Sequence, residues 1–297
     1  MPANAVLLSP GLGVAVLQSV QHHNKYIQAI GVVSSLRTLL DETIQHTKTR
    51  NQFGLPLSDF CLVRQQLARM AAKLYSLESM VYLTAGLADV SQHPDVEVES
   101  VIVKQFAAET SDYIVSGCLG LLGAQVNLET SKYQKYLRDN QVLQGWQGSA
   151  NIHKCFVGIS GLMHLVQHQP ELADLRQPAN GNIIKNMKYS YKTWEHRLDR
   201  VNLRLGLSGC VTPGLQASAR RLEWCALKVH FVAKELLVSR GANIQVEEHL
   251  LERLSDLVTE VFALTCTMSR ANRSFTLGLE NAEFETNMAV PLSFESK

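Results

Sequence analysis

Apolar residues recur along this chain at steps of three and four wherever proline is absent. Pro2, Pro10, Pro56, Pro94, Pro170, Pro178, Pro213 and Pro291 leave long proline-free runs at 11–55, 57–93, 95–169 and 214–290. In the first run Val14, Leu17, Ile27, Ile30, Val33, Leu36, Leu40 and Ile44 keep helical spacing, which predicts a helix that breaks near Asn51–Gly54. Phe60, Val63, Leu67, Met70, Leu74, Leu77 and Val81 predict a second helix, ending before Pro94. Asp95 reads as an N-cap, with Glu97 and Glu99 in a first turn that favours negative charge. That third helix should stop near Gly120–Gly123. A fourth is expected from about Ser149 to His168. Thr212-Pro213 reads as cap and first residue of a helix to about Arg240. Gly241-Ala-Asn243 is a stop, and a last long helix covers about 246–272.

No strand pair is expected, because no Asn-Gly or Asp-Gly turn joins two β-branched runs. The fold class predicted is all-α, with long antiparallel helices in bundles. A boundary is expected within 170–211, which starts rich in Pro, Asn and Gly. The 297 residues suffice for one large domain or two ordinary ones. Apolar residues at 46% and charged residues at 19% describe a globular chain. A net charge of +1 gives no global field for nucleic acid. Six scattered cysteines, without a C-x-x-C, point to a reducing compartment. No run is long and apolar enough to predict a membrane span, and no targeting peptide is legible.

Chemistry is sparse. His164 and His168 share a helix face, but a zinc site needs a further ligand, so no metal is expected. Residues 183–204 say more. Ile184, Met187, Tyr191, Trp194, Leu198 and Val201 form one apolar stripe, flanked by Lys185, Lys188, Lys192, Arg197, Arg200 and Arg204 against Glu195 and Asp199. Such a basic amphipathic helix suits a membrane surface or a partner's groove. It also suits a helix docked on its own bundle with its cations in water.

The stretch Lys48-Thr-Arg-Asn-Gln-Phe-Gly54 resembles the T-R-x-Q-F-G signature of acyl-CoA dehydrogenases. Leu77-Glu-Ser-Met-Val-Tyr-Leu-Thr-Ala-Gly86 looks like the very-long-chain branch of that family, as does Leu137-Arg-Asp139. From Ser208-Gly-Cys-Val-Thr-Pro213 to Met268-Ser-Arg-Ala-Asn-Arg-Ser274 the chain resembles the extra helical domain of that branch. The resemblance implies a four-helix C-terminal domain at 1–169, with a remnant of the preceding linker. It further implies a linker with the basic helix at 170–211 and the added helical domain at 212–297, cut short. The family's first two domains would be missing.

The resemblance also implies where chemistry should sit. The family places FAD beside the helical domain, and a glutamate in an aromatic-Glu-Gly-Thr turn takes the α-proton of an acyl-CoA thioester. Here that turn reads Trp146-Gln147-Gly148-Ser149, so the base position holds an amide. Some relatives carry the base on an earlier helix, before an arginine; those positions are Asn24 and Lys25. Both carboxylate positions are therefore empty. Arg50, Gln52 and Phe53 remain of one flavin motif, and Gly123 of the glycine-rich one, where Gly120 replaces a glutamine and Val126 a glycine.

The function expected is a catalytically degenerate homologue acting as a mitochondrial scaffold on the matrix side of the inner membrane. Complex I assembly factors are its expected partners, since one member of the branch has that role. A homodimer is expected, as is peripheral membrane contact through 183–204. The alternatives are a piece of an FAD-dependent long-chain acyl-CoA dehydrogenase and an acyl-CoA- or lipid-binding module without turnover.

Overall fold

The computed structural model describes residues 11–90, 95–169 and 205–295. Within them the chain is helical apart from connecting turns and one small hairpin, as the hydrophobic spacing predicts for its long helices. The first unit comprises residues up to Ala150 and the second those from Asn151.

In the first unit, α1 (Gly13–Thr49), α2 (Cys61–Val90), α3 (Glu97–Leu122) and α4 (Tyr133–Gly145) follow one another. Helix α3 is the central element. Ser100 to Ala108 are all buried, including Val101, Ile102, Val103, Phe106 and Ala107, so this stretch has no solvent face. Its most extensive partner is α1, which turns Tyr26, Ala29, Val33, Leu36 and Leu40 inward. Helix α2 adds Met70, Leu74, Leu77 and Met80. Glu78 of α2 is 5% exposed and takes bonds from Arg37 of α1 and, at 3.0 Å, from the Tyr82 hydroxyl.

The second unit holds α5 (Ala150–His168, entering from the boundary), a single turn α6 (Leu207–Cys210), α7 (Gln216–Arg240), α8 (Glu248–Thr276) and α9 (Ala282–Glu295). Leu162 and Leu165 of α5 pack with Ala233, Leu251 and Leu254. The Lys154 ammonium lies 2.9 Å from Asp256 and 3.4 Å from Glu252, tying α5 to α8. Farther along, Ala219 and Leu222 meet Leu264 and Met268, and Leu215 meets Ala271 and Ala289. The contacts of α5 group it with the residues that follow.

Two local expectations need correction, and a third is refined. The N-cap of α3 is Val96, not Asp95; the Asp95 carboxylate instead accepts a bond from the Glu97 N–H at 3.3 Å. Thr212 and Pro213 do take the expected N-cap and first positions, here of a 3₁₀ turn, Pro213–Leu215, that runs into α7 and so on to Arg240, although the Thr212 side chain makes no capping bond. A strand pair does exist: Asn51–Gln52 (β1) pairs antiparallel with Leu55–Pro56 (β2). Phe53 and Gly54 link them with φ of 53° and 83°, both left-handed, as tight hairpin turns require. A phenylalanine in the first turn position hides that signal from a sequence reader.

Two glycines test this packing in opposite directions. A Cβ on Gly158 of α5 would sit 2.9 Å from the Leu251 carbonyl oxygen and 3.2 Å from its Cα. Nothing lies within 4 Å of one on Gly86, which is exposed in α2. Urea titration should show Gly86→Ala stabilising by about 0.5–1 kcal/mol through helix propensity. Gly158→Ala should destabilise by about 1–3 kcal/mol through overpacking.

Candidate functional site

The turn after α4 is held in an uncommon conformation. Trp146 ends the helix in extended geometry, its N–H bonded to the Val142 carbonyl. Gln147 then has φ of 61° and Gly148 of 113°. A non-glycine residue in this region is rare and marks strain that the surroundings must hold. The holding comes from α3. Lys104 Nζ donates to the Gly148 carbonyl at 3.0 Å, and Gln144 Nε2 to the Ala108 carbonyl at 2.9 Å. Ser111 donates to Asn140 Oδ1, and Asn140 Nδ2 donates to Asp112 Oδ1 at 3.2 Å. Gln147 is half-buried with Oε1 shielded from solvent, while Trp146 is 54% exposed. The amide can direct hydrogen bonds there but cannot hold a proton in transit.

Beside the turn lies a groove of about 690 Å³, a size ordinary for small-molecule sites. Val32 and Leu36 of α1, Val115 of α3, and Leu143 with Trp146 make its apolar walls. Its lining carries one carboxylate, Asp139, which is exposed. Asn24 is exposed on α1 next to the buried Lys25, and neither residue lines the groove.

The residual flavin motifs share the opposite end of α1. Helical rise separates Lys25 from Arg50 by about 37 Å. Arg50, Gln52 and Phe53 are all exposed in and before the hairpin, Phe53 at 94%, edge-on to Phe60. Gly123 has φ of 73° and caps α3, so a helix end accounts for it without a cofactor. The next residues close into a 3₁₀ turn, Gly123–Asn127, and Gln125 Nε2 lies 3.5 Å from His46 Nδ1 at the end of α1. Among the described residues, the flavin motifs are thus represented by an exposed arginine, a helix-capping glycine and a closed turn.

Ile184, Met187, Lys188, Tyr191, Lys192, Trp194 and Leu198 lie outside the described residues. The rings of His164 and His168 are 4.0 Å apart. Among the described residues there is no group of three or more His, Cys, Asp and Glu side chains placed to hold a metal, and no helix long and apolar enough to cross a membrane.

Sequence reading named Lys25 but missed its burial, and missed Lys104 altogether. Lys104 is 1% exposed and Lys25 8% exposed. Burial pushes both ammonium groups below the usual lysine range; Lys25 adds repulsion for Lys104, and Glu97 partly offsets the effect on Lys25. His22, 3.3 Å from Glu97, is also lowered, first by burial. The legible signal was a cation inside the apolar run Val101-Ile-Val-Lys104-Gln-Phe-Ala-Ala108.

Residues 11–160 match the family model described as acyl-CoA dehydrogenase, C-terminal domain, which is half of the chain. The chain belongs to the acyl-CoA dehydrogenase family. Residues 213–296 match the model described as ACAD9/ACADV, C-terminal domain. Mouse mitochondrial very long-chain specific acyl-CoA dehydrogenase is 26% identical over 285 residues, covering 96% of this chain and 43% of its own length. A probable acyl-CoA dehydrogenase of Bacillus subtilis is 21% identical, covering 92% of this chain and 46% of its own. This family member thus spans less than half the length of those relatives. Its fold is similar to that of an acyl-CoA dehydrogenase complexed with FAD from Bacillus anthracis, with TM-score 0.80, 21% identity, and 99% of this chain and 50% of that one covered. It is also similar to Caenorhabditis elegans ACDH-11 in complex with C11-CoA, with TM-score 0.70, 17% identity, and 98% and 45% covered.

The buried lysines give a pH test. An amine whose folded pKa is depressed binds fewer protons folded than unfolded, between that depressed value and the ordinary lysine value of 10.5. Stability contributed by Lys25 and Lys104 therefore grows as pH rises through that window and is lost as pH falls. Chemical denaturation across neutral to alkaline pH should show this rise, and Lys25→Met should flatten it.

Proposed function

We propose that this acyl-CoA dehydrogenase relative has lost dehydrogenation and persists as a mitochondrial scaffold, with a role in respiratory complex I assembly. The observation that carries the reading is Gln147 at the position of the family's base, in a turn that keeps a left-handed conformation and its tether to Lys104. Asn24, the alternative base position, is also uncharged and faces solvent. A helical bundle survives the loss of its chemistry because packing residues and reacting residues are different sets.

When bound, FAD would accept a hydride in this family. The exposed Arg50 hairpin and the closed 123–127 turn support no such step in this chain alone. Homodimerisation, contact with assembly factors and a matrix-side peripheral membrane position belong to the same proposal. The 183–204 stripe, with Trp194 at its centre, is the contact it would use.

A second reading has its own support. The curated relatives that cover 96% of this chain are very long-chain specific acyl-CoA dehydrogenases, so the chain would be a piece of a flavin-dependent enzyme of fatty-acid oxidation. Dye reduction with palmitoyl-CoA separates the two. A positioned base is worth about 10²–10⁴-fold, so the longer protein with Gln147 should be slower than family enzymes by at least that factor. Turnover at family rates would overturn the scaffold reading. For the basic stripe, flotation with anionic liposomes should retain the chain and release Trp194→Glu; equal flotation of both removes the membrane contact.

A further inference from the structure

His164 and His168 stand four residues apart on α5, so they project from one face of the helix, one turn above the other. Their ring centres are 4.0 Å apart and the ring planes are inclined at 33°. Leu162 and Leu165 of the same helix pack into the second unit's core, whereas both histidines are exposed. Gly161, one turn before His164, leaves the surface beside them open: a Cβ there would meet nothing within 4 Å. One hydrogen bond fixes a tautomer. His168 Nδ1 lies 3.0 Å from the His164 carbonyl oxygen, which can only accept. In the neutral ring Nδ1 therefore carries the proton, and Nε2 keeps its lone pair. Metal-binding histidines are oriented in the same manner, with the second ring N–H held by a carbonyl. Among the described residues, no hydrogen bond or ion pair engages the His164 ring.

We propose that His164 and His168 chelate one exchangeable zinc ion. Two nitrogens bonded to a tetrahedral zinc at about 2.0–2.1 Å stand about 3.3 Å apart. Rings with centres 4.0 Å apart reach that spacing by rotation of exposed side chains, without movement of the helix. Nε2 of His168 and one nitrogen of His164 fill two positions, and water fills the rest. A structural zinc centre takes four protein ligands, and this pair supplies two, so the ion exchanges with solvent instead of holding the fold together. Imidazole suits zinc, copper and nickel, whereas magnesium and calcium take oxygen ligands. The spacing is what makes the chelate. His22 and His23 are adjacent, so their rings point apart on α1, and His22 Nε2 is already 3.3 Å from Glu97. Bound between His164 and His168, the ion would clasp the last turn of α5 to the turn before it.

The pair is independent of the scaffold reading: it involves neither Gln147 nor the 183–204 stripe, and either can fail while the other stands. The intact chain, first stripped of metal with a chelator, is titrated with zinc and labelled with diethyl pyrocarbonate. Carbethoxylation at each histidine is then quantified by peptide mass spectrometry. Zinc near equimolar should slow labelling of His164 and His168 several-fold relative to the exposed His249, and magnesium should slow neither. His168→Gln should abolish the protection of His164, and His164→Gln that of His168, because a single imidazole is not a chelate. Both side chains are exposed, so neither substitution removes core packing. Zinc that leaves both rings as reactive as His249 in the unaltered chain overturns the proposal. So does zinc that protects one ring equally well after the other has been replaced.

Discussion

Nine consecutive residues of α3, Ser100 to Ala108, are buried, and the first unit is organised by that constraint. A helix segment without a solvent face must satisfy every polar side chain it carries inside the protein. Lys104 does so by holding the Gly148 carbonyl, and farther along the helix Ser111 does so by bonding Asn140 of α4. The same side chains that settle the helix's own polarity thus fix the position of α4 and of the turn after it. The left-handed Gln147 is maintained from α3 rather than by its own loop. That is why the turn keeps its shape with a residue that supplies no base.

Much of the architecture was legible in the proline-free runs, because long helices with one buried face write a 3.6-residue period into the chain. The all-α class, the break near Asn51–Gly54 and the end of α3 at Gly123 follow from that period and from glycine's freedom. The failures were local. The hairpin at 51–56 is too short to show alternation, and Phe53 occupies a turn position where asparagine or glycine would have announced it. Asp95 has the chemistry of a cap but sits one residue early. Helix α9 is short and lies beyond the last long periodic run.

The candidate site was legible in a different way. Residue identity singled out Gln147, Asn24 and Arg50 as candidates, since each is conspicuous against a motif. It did not place Lys25 and Lys104. A cation in an apolar run reads equally as a snorkelling surface lysine and as a buried one, and only packing on both sides of α3 decides between them. Burial of charge depends on the tertiary arrangement, and a local pattern carries little of it.

The length of α1 has a further consequence. Its 37 residues put Lys25, near the Gln147 turn, and the Arg50 hairpin far beyond the range over which substitutions couple energetically. A substitution at the Gln147 end adds independently to one at the hairpin end. A chain built in this way can vary the chemistry of one end without renegotiating the packing of the other.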